Sequence, residues 1–318
     1  MNRKIVPLAK EGVPEALSLV IASYESEKKR NPLLPSKLLG NPDNALPYIE
    51  ECIRNGCVAA YDGGKMIGFM GIHAFFTFKG QRAAQVRSIN HAALERGTPD
   101  AYQFLYQALG EVLAEKQVQL HIIEHLAGNM ELKETLFQLG FGAILAERLR
   151  DTSPIPSDAT ASVSQEKDFL SVEELDLEHR RYYRLSPIFI TKDESRKAVR
   201  RDLTEHAKGG DVVFTYRENG VPTAYMIAGA CAGTYEGFLL QNSGTAQVKS
   251  AYARPGARAK GIGRALLSST VEWATLQGYS RILVEHESAN IIGGAFWQKH
   301  FSPYLYVSMR YVEDCRRA

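Results

Sequence analysis

Arg258-Ala259-Lys260-Gly261-Ile262-Gly263 separates a strand-like run from an amphipathic helical pattern. Gly261 and Gly263 have no Cβ atom and adopt positive φ at little cost, so the backbone amides of this loop can approach a ligand closely. Apolar residues recur at spacings of three to five over residues 262–274, which predicts a helix that begins at the loop. The N-terminus of that helix has unpaired amides and the positive end of the helix dipole. It would contact the same anion as the basic side chains of Arg258 and Lys260. The stretch therefore predicts a loop that binds a diphosphate.

The spacing of the glycines distinguishes this loop from two other phosphate-binding loops. A nucleotide-binding P-loop requires Gly-x-x-x-x-Gly-Lys-Ser/Thr, and a dinucleotide-binding loop requires Gly-x-Gly-x-x-Gly followed by an acidic residue. The stretch fits neither pattern. Taken alone it also fits a glycine turn before an ordinary helix, so the prediction depends on the residues around it.

The loop and the residues that flank it resemble the GCN5-related N-acetyltransferases, the GNAT superfamily. The loop is similar to the family's Arg/Gln-x-x-Gly-x-Gly/Ala element. Residues 295–301 are similar to its Ala-Phe-Tyr-x-Lys-Gly-Phe helix end, with Trp297 in place of the tyrosine and His300 in place of the glycine. Residues 248–253 and 282–287 correspond to the family's fourth and fifth strands. Together these motifs cover about residues 246–301.

The resemblance implies an α/β (α+β) fold in which a mixed, mostly antiparallel sheet is flanked by helices and splays open between its fourth and fifth strands. It implies acetyl-coenzyme A as the acyl donor, with the diphosphate on the loop, the pantetheine arm along the fourth strand, and no metal. The expected function is direct transfer of an acetyl group, in a ternary complex, to an amine of a small molecule or peptide. The expected coenzyme-binding residues are Ala251, Tyr252, Ala253, Arg258, Ala259, Lys260, Gly261, Ile262, Gly263, Arg264 and Asn290.

The chain also repeats itself. Ala84-Gln85-Val86-Arg87-Ser88 returns as Ala246-Gln247-Val248-Lys249-Ser250, a shift of 162 positions from 84 to 246. Glu124-His125 returns as Glu285-His286. The repeat predicts two tandem GNAT-like domains, residues 1–150 and 166–318, joined by a linker at 151–165 that is rich in proline and small polar residues.

The two halves differ at the loop. At the shift of 162, Arg96 stands in the place of Arg258, but the next glycine positions are lost: Thr98, Pro99, Asp100 and Ala101 replace Lys260, Gly261, Ile262 and Gly263. Proline lacks a donor N–H and fixes φ, and aspartate adds negative charge where a phosphate would lie. The first half is therefore predicted to be a degenerate domain and the second half to bind the coenzyme.

Two glutamates and two tyrosines are the catalytic candidates. Glu285 and Glu287 share one face of the predicted fifth strand. The resemblance places a base-like glutamate at Glu285 in some members that acetylate protein N-termini. The counterpart of Glu285 in the degenerate half, Glu124, leaves a structural role equally open.

The position of the family's tyrosine holds Trp297, whose indole cannot protonate a thiolate. Tyr304 and Tyr306 occur only in the half with the intact loop and are the candidate acids. An amphipathic strand that presents tyrosines to solvent or to the neighbouring domain is the alternative. The run Arg180-Arg181-Tyr182-Tyr183-Arg184 falls where the family shapes its acceptor pocket, and it also fits a helix end with dipole-complementing arginines.

Composition narrows the class of protein. The 318 residues are 45% hydrophobic and 23% charged with a net charge of +2, which is typical of a folded soluble protein and gives no reason to expect nucleic acid as a partner. No signal-like start or long apolar run occurs, so a cytoplasmic protein without a membrane partner is expected. Four scattered cysteines indicate neither a disulfide framework nor a metal site. The alternative function is an acyl-coenzyme A binding or sensing protein without turnover.

Overall fold

A computed structural model of the chain describes residues 3–94, 98–156, 163–231, 239–240 and 244–313. Within these ranges the chain forms fourteen strands and nine α-helices. In chain order they are β1 (Arg3–Pro7), α1 (Val13–Arg30), α2 (Lys37–Gly40), α3 (Leu46–Asn55), β2 (Cys57–Asp62), β3 (Lys65–Gly71), β4 (Ala74–Phe78), β5 (Gln81–Val86), β6 (His91–Ala93), α4 (Thr98–Glu115), β7 (Leu120–Leu126), α5 (Met130–Gln138), β8 (Gly142–Asp151), β9 (Val163–Glu166), α6 (Glu173–Tyr183), α7 (Arg196–Lys208), β10 (Val212–Glu218), β11 (Val221–Ala230), β12 (Thr245–Ala253), α8 (Ile262–Leu276), β13 (Arg281–Glu287), α9 (Ile291–His300) and β14 (Ser302–Tyr311).

Two compact units divide the chain. The first combines Met1–Ala146 with Pro303–Ala318, and the second is Glu147–Ser302. The domains predicted from the repeat are each continuous, whereas the first unit includes the last strand of the chain. The reason is main-chain pairing, because β14 runs antiparallel to β7 from Leu305↔Leu126 to Tyr311↔Leu120. Residues 157–162 of the predicted linker lie outside the described ranges.

The first unit contains two sets of paired strands, β1-β2-β3-β6 and β4-β5-β7-β14. Helix α4 packs its apolar positions, spaced three and four residues apart, into the core of this unit. These positions include Tyr102, Leu105, Leu109 and Leu113, all less than 3% exposed. They contact side chains of β2, β3, β5 and β7, so one helix face and the strands share a continuous core.

The second unit is built on a sheet ordered β8-β13-β12-β11-β10-β9, in which β12 and β13 are parallel. The strands from β9 to β12 pair antiparallel. Helix α8 buries Leu266, Leu267 and Val271 against this sheet. Mixed sheets flanked by helices confirm the predicted α/β fold class. In the part of the chain that the structure describes, no helix combines the length and apolar character needed to cross a membrane.

Candidate active site

Strands β12 and β13 separate in the middle of the second unit. Their parallel pairing runs from Thr245↔Arg281 to Val248↔Val284 and stops there, although β12 continues to Ala253 and β13 to Glu287. On the other side of β12, the register with β11 shifts so that Lys249 is an extra residue. Such a bulge bends a strand and increases its twist. The bend leaves the edge of β12 from Ser250 to Ala253 unpaired on the side that faces β13.

A cavity of about 730 Å³ occupies this opening, which is the size of a small-molecule or cofactor site. Its walls come from α6, α7, β11, β12, β13, α8 and α9 of the second unit. Most of the predicted coenzyme residues line it: Ala251, Tyr252, Ala253, Arg258, Ala259, Gly261, Gly263, Arg264 and Asn290. Lys260 and Ile262 are not among the lining residues.

In the loop before α8, Gly261 has a positive φ, whereas Gly263 already belongs to the helix. Gly261 caps the helix with a φ of 79°, and Ala259 also has a positive φ of 60°. A Cβ atom added at Gly261 would meet only a guanidinium nitrogen of Arg264, at 4.0 Å. The amides of the first helical turn have no carbonyl partner within the helix, and glycine supplies no capping side chain. The space above the helix N-terminus is therefore open and lined by donors, which fits a diphosphate.

Gly263 lines the cavity and also lies close to α9. A Cβ atom there would lie 3.2 Å from Cε2 of Phe296, so a larger residue would press on that ring. Ile262 is 3% exposed and packs into the core beneath the loop. Only its main chain can take part in ligand binding.

The basic residues of the loop differ in what they contact. Arg258 Nε donates to the Ala253 carbonyl at 2.9 Å, and its guanidinium lies 5.1 Å from the ring centre of Tyr182. These contacts hold its positive charge at the wall of the cavity. Lys260 is exposed, and its Nζ lies 3.7 Å from Glu218 Oε1. Near the loop, the basic residues that line the cavity are Arg258, Arg264 and Lys299 of α9.

Asn290 is the N-cap of α9. Its Oδ1 accepts from Gly293 N and from the Tyr182 hydroxyl, both at 3.0 Å. These bonds occupy the side-chain oxygen. Contact with the coenzyme, which the resemblance implied for Asn290, would then use its amide nitrogen.

The four catalytic candidates are distributed over both units. Glu285 is half-buried and lines the cavity, whereas Glu287 does not line it. Tyr304 and Tyr306 belong to the first unit. Tyr304 is fully buried, and the ring centre of Tyr306 lies 5.7 Å from the ring centre of His125. Neither tyrosine lines the cavity, because β14 pairs with β7.

The wall of the cavity at Trp297 is aromatic. The indole is 8% exposed, and its ring centre lies 4.8 Å from Phe296 and 5.5 Å from Phe301. Trp297 therefore packs in the core of the second unit and closes the cavity on one side.

Sequence reasoning missed a chain of hydrogen bonds at the point where β12 and β13 separate. The Tyr225 hydroxyl donates to Asp176 Oδ1 at 2.8 Å and lies 2.8 Å from Ser250 Oγ. Nδ1 of His179 lies 3.3 Å from that hydroxyl and 3.4 Å from Ser250 Oγ. Asp176 and His179 are three residues apart on α6, a spacing that puts them on one helix face and could have drawn attention to them.

His179 and Tyr183 also have pKa values far from their ordinary range. Burial and, next, the charge of Lys192 lower the pKa of His179 to about 4, so the ring is neutral at neutral pH. Burial raises the pKa of Tyr183, and the negative charges of Glu287 and Glu285 add to the effect. Tyr183 therefore keeps its proton.

The arginine-rich run at the end of α6 forms ion pairs. Arg180 contacts Asp176 and Asp202, each at 2.8 Å, and Arg184 lies 3.1 Å from Glu194. These arginines are neutralised by nearby carboxylates. The rings of Tyr182 and Tyr183 line the cavity, so this part of the wall is mainly aromatic.

The corresponding strands of the first unit are bridged by side chains. His91 Nε2 lies 2.7 Å from the Glu124 carbonyl, and its Nδ1 lies 2.8 Å from the Tyr102 hydroxyl. The Glu124 carboxylate accepts from Gln85 Nε2 and, at 3.4 Å, from Ser88 N. These bonds connect β5, β7 and the segment between β5 and β6. Arg96 lies outside the described residues.

Within the described ranges, no group of three or more His, Cys, Asp or Glu side chains could hold a metal ion.

Comparison with known proteins finds a family model that matches part of the chain. Residues 173–301 match the model of the acetyltransferase (GNAT) family, and this segment contains α6, the separated strands, the loop and α9. No curated protein matches the chain in sequence. The match lies within the second unit, so residues 173–301 are the part of the chain that is similar to the GNAT family.

Solved structures support the fold assignment. A GCN5-related N-acetyltransferase from Sphaerobacter thermophilus has a TM-score of 0.56 and 11% identity, and the match covers 97% of this chain and 95% of that one. The glucosamine N-acetyltransferase region of a fungal multi-domain GH3 β-N-acetylglucosaminidase has a TM-score of 0.50 and 11% identity, over 97% of this chain and 38% of that one. A tandem GNAT protein from the clavulanic acid biosynthesis pathway is 13% identical with a TM-score of 0.48, over 98% of both chains. At these identities the first two likenesses concern the fold alone.

Proposed function

We propose that the second unit binds acetyl-coenzyme A and transfers its acetyl group directly to an amine of a small molecule or peptide. The end of β12–β13 pairing at Val248↔Val284, beside the glycine-capped N-terminus of α8, carries the proposal. A diphosphate bound at that N-terminus neutralises the helix dipole and accepts from its free amides. The unpaired edge of β12 near Ala251 and Ala253 can add the pantetheine amides as a further strand. The thioester would then point towards Ser250.

The aromatic and acidic wall opposite β12 is the proposed acceptor site. Tyr182 and Tyr183 provide ring faces, and Glu285 provides negative charge that attracts an ammonium group. Glu285 remains our candidate for contact with the amine, and Glu287 acts on the site through its charge. Bringing a neutral amine to the thioester in a fixed orientation supplies much of the rate enhancement.

Tyr183 is the proposed hydrogen-bond donor to the departing sulfur. Its hydroxyl has no hydrogen-bond partner among the described residues, it lines the cavity, and its raised pKa keeps it protonated. This proposal replaces Tyr304 and Tyr306 with a residue of the second unit.

A thiol-release assay with acetyl-coenzyme A across amino acids, polyamines, aminoglycosides and peptides tests the function. Amine-dependent release that disappears in Gly261→Pro supports the transferase. The second candidate is a protein that binds or senses acyl-coenzyme A, and Trp297 in place of the family's tyrosine favours it. Coenzyme binding without release for any amine would support that candidate instead.

A further inference from the structure

The hydrogen bonds around His179 determine which ring nitrogen carries its proton. The Tyr225 hydroxyl uses its single proton to donate a hydrogen bond to the Asp176 carboxylate, which can only accept. Ser250 therefore donates in its 2.8 Å contact with Tyr225. Both hydroxyl protons are then used, so the contacts of His179 Nδ1 with these two oxygens require an N–H on Nδ1. The lone pair is left on Nε2.

The environment of the ring leaves Nε2 available to a ligand. His179 lines the cavity, and Nε2 has no hydrogen-bond partner among the described residues. The ring stacks on Tyr252 with centroids 5.4 Å apart and packs 5.1 Å from Tyr183. Tyr252 belongs to the unpaired edge of β12, so His179 lies beside the predicted path of the pantetheine arm.

On the proposed transferase function, we infer that His179 Nε2 takes the proton of the acceptor amine and that Tyr225 positions the ring. The amine nitrogen attacks the thioester carbonyl carbon, and the new N–C bond makes that nitrogen positively charged and acidic. Its proton passes to Nε2, the C–S bond breaks, and the thiolate leaves. The proton on the imidazolium then moves to the thiolate. The products are the N-acetyl amine and free coenzyme A, with atoms and charge balanced.

The charged groups around the ring act in opposite directions: Asp176 favours the imidazolium, and Lys192, Arg180 and Arg258 favour the neutral ring that takes up the proton. A neutral imidazole can accept a proton without first losing one, and the pKa of about 4 keeps the resting ring neutral. Asp176 lies one hydroxyl away and stabilises the imidazolium through Tyr225. The charged groups that act on His179 come from its own helix, the segment that follows and the loop before α8, and they are Asp176, Arg180, Lys192 and Arg258.

The test uses His179→Ala in the full chain, with acetyl-coenzyme A and the most active amine of the panel. We expect the coenzyme Kd to stay within about threefold of the parent value and kcat to fall by about a hundredfold or more. Added imidazole should then raise the kcat of the variant by at least about tenfold. Imidazole should not stimulate the parent protein or His73→Ala, a half-buried histidine of the first unit. A kcat within threefold of the parent, or a loss that imidazole does not restore, overturns the assignment.

Tyr225→Phe separates positioning from packing. It should lower kcat by about tenfold with little change in KM, and imidazole should not restore it because the ring of His179 is still present. The double variant should be no slower than His179→Ala alone, and additive losses would refute the coupling. Failure of the proposed function gives a different result, since the parent protein would then bind coenzyme and release no thiol with any amine.

Discussion

Gly261 and Gly278 flank helix α8, and both adopt the left-handed conformation, with φ of 79° and 78°. A Cβ at either position meets no atom closer than 4.0 Å, so alanine adds backbone strain without a clash. We expect Gly261→Ala and Gly278→Ala each to lower the free energy of unfolding by about 1 kcal/mol, measured by urea denaturation.

Only the change at Gly261 should affect the coenzyme, because its Cβ would enter the space above the helix N-terminus. Isothermal titration calorimetry should show weaker acetyl-coenzyme A binding for Gly261→Ala, and a loss of about tenfold or more for Gly261→Pro, which cannot adopt the φ of 79°. If Gly278→Ala weakened acetyl-coenzyme A binding as much as Gly261→Ala, the assignment of the loop as the diphosphate site would be contradicted.

One coenzyme should bind per chain. The first half lacks the loop glycines, and Glu124 and His91 bridge the strands that would have to separate. Calorimetry should therefore give a stoichiometry of one, and Pro99→Gly should leave the affinity unchanged. A second site, or a lower affinity in Pro99→Gly, would show that the first half also binds.

Tyr183→Phe should lower kcat by about tenfold to a hundredfold with the coenzyme Kd unchanged, because a donor to the departing sulfur is lost. Steady-state thiol release measures kcat, and Tyr279→Phe, which lies outside the cavity lining, is the matched control. A larger loss in Tyr306→Phe than in Tyr183→Phe would restore the tyrosines of β14 as candidates.

The first unit should be the more acid-sensitive one. Burial lowers the pKa of His91, His121 and His125 to about 4, against an unfolded value of 6.5. Between these values the unfolded chain binds more protons, so stability is present above pH 6.5 and is lost as the pH falls towards 4. Considered alone, each such histidine contributes roughly 3 kcal/mol to the free energy of unfolding above pH 6.5, and this contribution is lost at low pH.

Hydrogen exchange followed between pH 7 and pH 4.5 should show α4 and β7 losing protection before α8, which packs in a unit with fewer such histidines. Loss of protection in α8 first would contradict the prediction. Replacing His121 by Gln should reduce the pH dependence, since the variant has no group to protonate at that position.

Motifs formed by neighbouring residues could be predicted from the sequence. The glycines of the loop and the start of α8 depend on spacings of a few residues. Gly263 shows where this reasoning ends, because its closeness to Phe296, more than thirty positions further along the chain, depends on how α8 and α9 pack. The alternation of side chains along a strand also predicted that Glu285 and Glu287 share one face. It could not indicate which of the two lines the cavity.

The sequence by itself determined the GNAT resemblance, the internal repeat and the position of the loop, because turn chemistry, helix starts and apolar periodicity are local properties of the chain. Tertiary structure alone decided that β14 belongs to the first unit and that Asp176, His179, Tyr225 and Ser250 meet. These four residues come from α6, β11 and β12. Their contacts depend on how a helix packs across two bulged strands, and no local spacing encodes that packing.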